Sequence, residues 1–139
     1  MPDGQGYALY AKGTIAYEAR IVKASDERIK RDIKDMDSGL EYIMKLRPRK
    51  YYHIESDKYN FTSNLSYGLV AQEVKQVIPE IVVDKLLIER PNTNPESGAE
   101  ELMGIDYVEI IPFLIKSIQE QQAIIEQQQK QIDILIKNR

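Results

Sequence analysis

From Asp106 to Lys137 the chain runs without a glycine, and Ile111, Ile118, Ile125 and Ile132 fall seven residues apart. Pro112 stands near the start of this run, in the first turns, where a helix tolerates it. Isoleucines at that spacing define the a positions of a heptad, with Leu114, Gln121, Gln128 and Leu135 at d. The run therefore predicts one long helix that meets copies of itself along an apolar seam. Glutamines at d set register at some cost in stability, and they suit a trimer at least as well as a dimer. The competing reading is a helix folded back on its own domain through a wider face of Leu114, Ile115, Ile124 and Ile136.

What precedes the helix is short and mixed. In 139 residues there is room for one domain plus an appendage. A net charge of -3 with a sequence pI near 5.3 gives no reason to expect a nucleic-acid partner. The absence of cysteine removes disulfides and thiolate metal sites. His53, the one histidine, gives no support to a histidine metal site or a Ser-His-Asp triad, so no metal or other cofactor is expected. The first residues, Met1 to Gly6, lack the basic and apolar regions of a signal peptide. No run approaches the ~20 apolar residues of a membrane span.

Residues 7–24 carry Ile15, Tyr17, Ala19 and Ile21 on one side of an alternating pattern, after a turn at Lys12-Gly13, which predicts a hairpin or paired short strands. Such a piece has no core of its own and needs other chains or a longer sheet. Ser25-Asp26-Glu27 opens a charged stretch, with a hydroxyl and acids suited to capping a helix, a single turn or an extended entry. Leu40, Ile43, Met44 and Leu46 predict a helix over 37–46, stopped by Pro48. Strands are expected over 49–54 and 67–71, and a short helix over 72–77. Two strands, or one bent at Asp84, are expected over 81–89. The stretch from Glu55 to Ser66 and the Pro91 to Gly98 segment read as loops. Asp106 is the expected N-cap of the final helix. The fold class is α+β: a small domain of helices and short strands, with a β-stalk remnant before it and a coiled-coil helix after it.

Several stretches together resemble one family. They are Ser25-Asp26-Glu27-Arg28-Ile29-Lys30, then Leu46-Arg47-Pro48 leading into Tyr51-Tyr52, and Tyr67-Gly68-Leu69-Val70-Ala71-Gln72-Glu73-Val74 with Ile78-Pro79-Glu80. Last come Ile105-Asp106-Tyr107 and Ile118-Gln119-Glu120-Gln121. In this order they look like the C-terminal intramolecular chaperone domain of phage endosialidases, tailspikes and tail fibres, a self-cleaving serine-lysine peptidase family that also occurs inside myelin regulatory factor. The resemblance spans about residues 25–125. It implies a homotrimer that holds three chains of a β-rich stalk in register, and that is removed by a cut beside its serine. Carried over by position, Ser25 is the nucleophile and Lys30 its general base, with the cut among Ala24, Ser25 and Asp26. The implied layout is stalk end at 1–24, chaperone and auto-peptidase at 25–104, and trimerisation helix at 105–139. The implied setting is a phage virion precursor assembled in the bacterial cytoplasm, with the domain released after cleavage.

The chemistry is coherent taken alone. A serine hydroxyl needs an adjacent base, and a lysine serves as one when desolvation or nearby positive charge makes it neutral. Arg28 and the lysines of neighbouring chains are candidates for that charge. The same Ser-Asp-x-Arg-x-Lys pattern also serves as a helix cap with a solvated basic face. Two other functions fit the sequence less fully: a non-cleaving trimeric adaptor or fibre tip, and a membrane-anchored regulator of the myelin-factor type. His53 reads as a strand residue, and Glu73 and Glu80 as surface or capping groups without spaced partners.

Overall fold

The computed structural model describes residue 11 and residues 14–54, 63–88 and 100–138. Among the described residues seven regular elements carry the fold: α1 (Leu40–Ile43), β1 (Arg49–Tyr51), β2 (Ser66–Gly68), α2 (Ala71–Lys75), β3 (Val82–Ile88), β4 (Glu100–Ile105) and α3 (Ile110–Lys137). Three 3-10 turns, Glu27–Ile29, Pro79–Ile81 and Tyr107–Glu109, join them. The strands form two antiparallel pairs, β1 with β2 and β3 with β4. This is the expected mixture of helices and short strands closed by a long helix.

The core is small. Val74 from α2, Ile78 and Ile81 beyond it, and Ile110 at the head of α3 are buried. Ile43, Leu46, Leu69, Val77, Val82, Ile105 and Phe113 pack around them. Pro79 opens the turn that swings Ile81 inward, and the Asp106 amide donates to the Ile81 carbonyl at 2.9 Å. That bond carries the β3–β4 pairing on to the start of α3.

Strand β3 is one strand bent at Asp84. Val83 lies opposite Gly104 and Leu86 opposite Leu102, so Asp84 and Lys85 together face Met103. The extra residue makes a β-bulge, and an unpaired residue turns the strand locally. Asp84 and Lys85 use the bend to reach Lys75 at 2.7 Å and Glu101 at 3.1 Å.

The expected helix over 37–46 is shorter than its apolar pattern. It begins at Leu40, because Gly39 sits against the backbone of α3: a Cβ there would lie 2.5 Å from the Phe113 carbonyl and 2.7 Å from the Ser117 amide nitrogen. It ends at Ile43, and the Lys45 and Leu46 amides donate to the Tyr42 and Ile43 carbonyls in a tightened last turn ahead of Pro48. The free N–H groups at its start are met from outside. Glu120 of α3 accepts from Leu40 N–H at 2.8 Å and from Gly39 N–H at 3.2 Å. Tyr42 and Phe113 meet edge to face at 5.5 Å between ring centres.

Other expectations need correction. The strand expected over 49–54 stops at Tyr51, where its partner β2 stops. The strand expected over 67–71 is shifted to Ser66–Gly68, and α2 begins at Ala71. Strand β4 was not expected; its alternation is weak, and it exists because β3 pairs with it. Residues 14–24 form no strand, and Ile15, Tyr17, Ile21 and Val22 are between 54 and 75% exposed. Alternation alone makes no ladder without a partner strand. The Lys12-Gly13 turn and the Pro91 to Gly98 loop lie outside the described residues, as does most of the Glu55 to Ser66 connection. Asp106 caps as expected, though its carboxylate receives the Val108 and Glu109 amides of the 3-10 turn leading into α3.

Gly39→Ala is expected to lower stability in urea unfolding by about 1–3 kcal/mol, the cost of overpacking against groups that cannot retreat. Gly68→Ala should cost less. A Cβ there meets the Tyr107 hydroxyl at 2.7 Å, and that is the movable end of a side chain.

Candidate functional site

Ser25 and Lys30 flank the turn Glu27–Ile29, and the turn brings them together. The Asp26 carboxylate caps it, accepting from the Arg28 amide at 2.9 Å, and the Lys30 amide closes it on the Glu27 carbonyl at 3.0 Å. With the chain folded over in this way, Lys30 Nζ donates to Ser25 Oγ at 2.7 Å. The backbone of 25–30 alone sets the distance, and both residues are exposed in the single chain. A few residues on, Asp32 holds φ at 55°, a left-handed conformation that aspartate tolerates better than most residues.

Arg28 takes a different part from the one expected of it. Its Nε and Nη2 each donate to Asp26 at 2.9 Å, a two-pronged ion pair. The side-chain bond to Arg28, with its amide second, holds the Asp26 carboxyl below its usual range. The guanidinium is thus committed to Asp26.

The other stretches singled out in the sequence meet one another in space. Glu73 of α2 receives Arg49 at 2.5 and 3.2 Å and Arg47 at 3.3 Å, which corrects its reading as a group without partners. A signal was present: Arg47 and Arg49 are two apart on an extended segment, so both side chains leave on one side. The bond from Arg49 is the main reason that the Glu73 carboxyl titrates below its ordinary value of 4.5. Tyr107, just after Ile105-Asp106, accepts the Leu69 amide on its hydroxyl at 2.8 Å. Glu120 caps α1, and the Leu40 amide is the leading cause of its lowered carboxyl pKa. His53 meets Tyr51 edge to face at 5.2 Å, beyond the end of β1.

The eight seam residues, Ile111, Leu114, Ile118, Gln121, Ile125, Gln128, Ile132 and Leu135, are all exposed. The strip that packs on the domain is a different one, with Ile110 and Ser117 buried and Phe113 and Glu120 half-buried. At 100° per residue the two strips stand roughly a quarter turn apart. From Gln121 to Asn138 every residue is exposed. The self-packed alternative therefore holds for the first turns only, and through other residues than Leu114, Ile115, Ile124 and Ile136. Among the described residues no cluster of acids and histidine suits a metal ion, and no helix is long and apolar enough to cross a membrane.

A protein-family model described as "Chaperone of endosialidase" matches residues 25–83, and the match opens on Ser25. Residues 25–83 are thus similar to the chaperone-of-endosialidase family. At the level of the family, such domains are self-cleaving serine peptidases that act as intramolecular chaperones. A stretch of 65 residues is also 37% identical to the uncharacterized protein VP1 of Micromonas pusilla reovirus. That match takes in 45% of this chain and 3% of the viral protein's length. The matched stretch holds the Ser25–Lys30 contact, the arginine–Glu73 cluster and most of the core. Tyr107 and Glu120, which brace it, come after the matched stretch.

The Glu73 cluster has a consequence for acid stability. Its folded pKa is depressed, so its contribution is fully present above the ordinary carboxylate range and is lost as pH falls through the lowered value. The urea midpoint is expected to drop as pH goes below about 4.5. Glu73→Gln should start from a lower midpoint at neutral pH and show a shallower acid decline.

Proposed function

We propose that this chain is the trimerising, self-removing folding aid of a phage or other viral fibre or tailspike. Ser25 is the nucleophile and Lys30 the general base. The observation that carries the reading is the 2.7 Å contact between Lys30 Nζ and Ser25 Oγ, within a stretch that matches a self-cleaving family from its first residue. With the amine neutral, the contact reverses and the hydroxyl donates.

Within one chain, Ser25 Oγ reaches the carbonyl carbon of Ala24 through a five-membered ring. Lys30 takes the hydroxyl proton as the Oγ–C bond forms, and returns a proton to the Ser25 nitrogen as the C–N bond breaks. Water then hydrolyses the resulting ester, leaving a carboxylate on Ala24 and a free amine on Ser25. A serine from a neighbouring chain would instead open the Ser25–Asp26 bond. Cofactors have no part in either route.

Assembly supplies what the lone chain lacks. The pair is open to solvent, and a lysine base needs desolvation or added positive charge. Three chains joined along Ile111, Ile118, Ile125 and Ile132 would bring three such sites close to one axis and cover them. The exposed residues of 14–24 become strands of the stalk when neighbouring chains pair with them. Assembly in the host cytoplasm precedes the cut, and the domain leaves afterwards. A non-cleaving trimeric adaptor would share the helix but would have no use for the Ser25–Lys30 contact.

Intact mass over time checks the chemistry. The wild-type chain is expected to lose the residues before the cut, while Ser25→Ala and Lys30→Ala stay whole. A wild type that stays whole while sedimenting as a trimer would favour the adaptor. For the coupling to assembly, Ile118→Asp with Ile125→Asp should sediment as a monomer and cleave at least tenfold more slowly. A monomer cutting at the normal rate would sink that coupling.

A further inference from the structure

Lys23 stands two residues before Ser25, and its ammonium pairs with the Glu109 carboxylate, 86 positions along the chain. Glu109 closes the turn Tyr107–Glu109 and stands at the N-cap of α3. Among the described residues this is the one ion pair or hydrogen bond tying 14–24 to the folded body. Everything else in that segment is exposed and outside any strand. Glu109 is the leading cause of the raised Lys23 pKa, and Asp106 adds to it, so the head of α3 presents a small negative field to this lysine.

We propose that Glu109 is a positioning residue for the Ser25 site: through Lys23 it holds the segment that carries the Ala24 carbonyl against the head of the long helix. The inference rests on the self-cleavage reading above and adds a residue outside the matched stretch. Its logic is one of restraint. An exposed ion pair contributes little to global stability. Attack by Ser25 Oγ, however, requires the Ala24 carbonyl to stay near one orientation, and within the single chain residues 14–24 have no strand partner to hold it. Stalk pairing would fix the residues upstream, and the Lys23–Glu109 pair fixes the end next to the serine. The pair also links the site to α3, the element through which chains associate, so ordering of the helix head is passed to the peptide beside the serine.

A charge-reversal cycle on the full chain tests this, with cleavage followed by intact mass. Lys23→Glu and Glu109→Lys are each expected to slow cleavage roughly two- to fivefold, and the double variant to regain most of the wild-type rate. Added salt should slow the wild type and leave the single variants little changed. Singles that cut at the wild-type rate, or a double variant no faster than the singles, would overturn the proposal. A second measurement is independent of cleavage. In uncut Ser25→Ala chains, spin labels at Arg20→Cys and Gln119→Cys should show a narrow distance distribution that broadens on adding Lys23→Glu. An unchanged distribution overturns the positioning role even where the wild type cuts. A wild type that never cuts removes the self-cleavage reading, and the label distances then decide the ion pair's role alone.

Discussion

The contact of Gly39 with the backbone of α3 is the constraint on which the remaining packing depends. A helix of four residues has no stability of its own, since nucleation is costly and propagation never begins. Helix α1 exists because α3 comes close enough for Glu120 to accept its first free amides. Closeness in turn requires a residue without a side chain at 39 and a small one at 117. Ser117 complies by folding its hydroxyl onto the Phe113 carbonyl at 2.7 Å. Once the two helices are joined, Ile43 and Leu46 reach the core that Val74, Ile78, Ile81 and Ile110 begin.

What could be read from the sequence was mostly local. The long helix declared itself through its period and its lack of glycine, the bend in β3 through Asp84, and the cap through Asp106. The proximity of Ser25 and Lys30 is local too, since a capped turn between them is enough. Features that depend on distant partners were not legible. Glu100 to Ile105 carries too many acids to announce a strand, and pairing with β3 makes it one. Ile15 to Ile21 alternates well and yet forms none, because a ladder needs a second strand. Glu73 and Glu120 found amides and guanidinium groups that lie far off in sequence.

The chain shows two apolar surfaces of different standing. The one along Ile110 and Phe113 is used by the domain itself. The other, along the heptad isoleucines, faces water, and it continues past the domain for the roughly 26 Å that residues 121–137 span as helix. A contiguous exposed stripe of this length is unusual for a chain that stays alone. The Ser25–Lys30 contact is equally uncovered in the single chain, so on the proposed reading association along the stripe and enclosure of the site are one event.

The sequence separations of these contacts also set an order in time. Glu120 follows Gly39 by 81 positions, and Glu109 follows Lys23 by 86. At about 5–20 residues per second of synthesis, Gly39 waits roughly 4–16 seconds for its partner to be made. During that interval the serine and lysine, five residues apart, are free to touch, while α1 and the tether to Glu109 cannot yet form. A nascent chain thus carries Ser25 and Lys30 early and the frame around them late, which on the proposed reading delays full organisation of the site until the long helix has emerged.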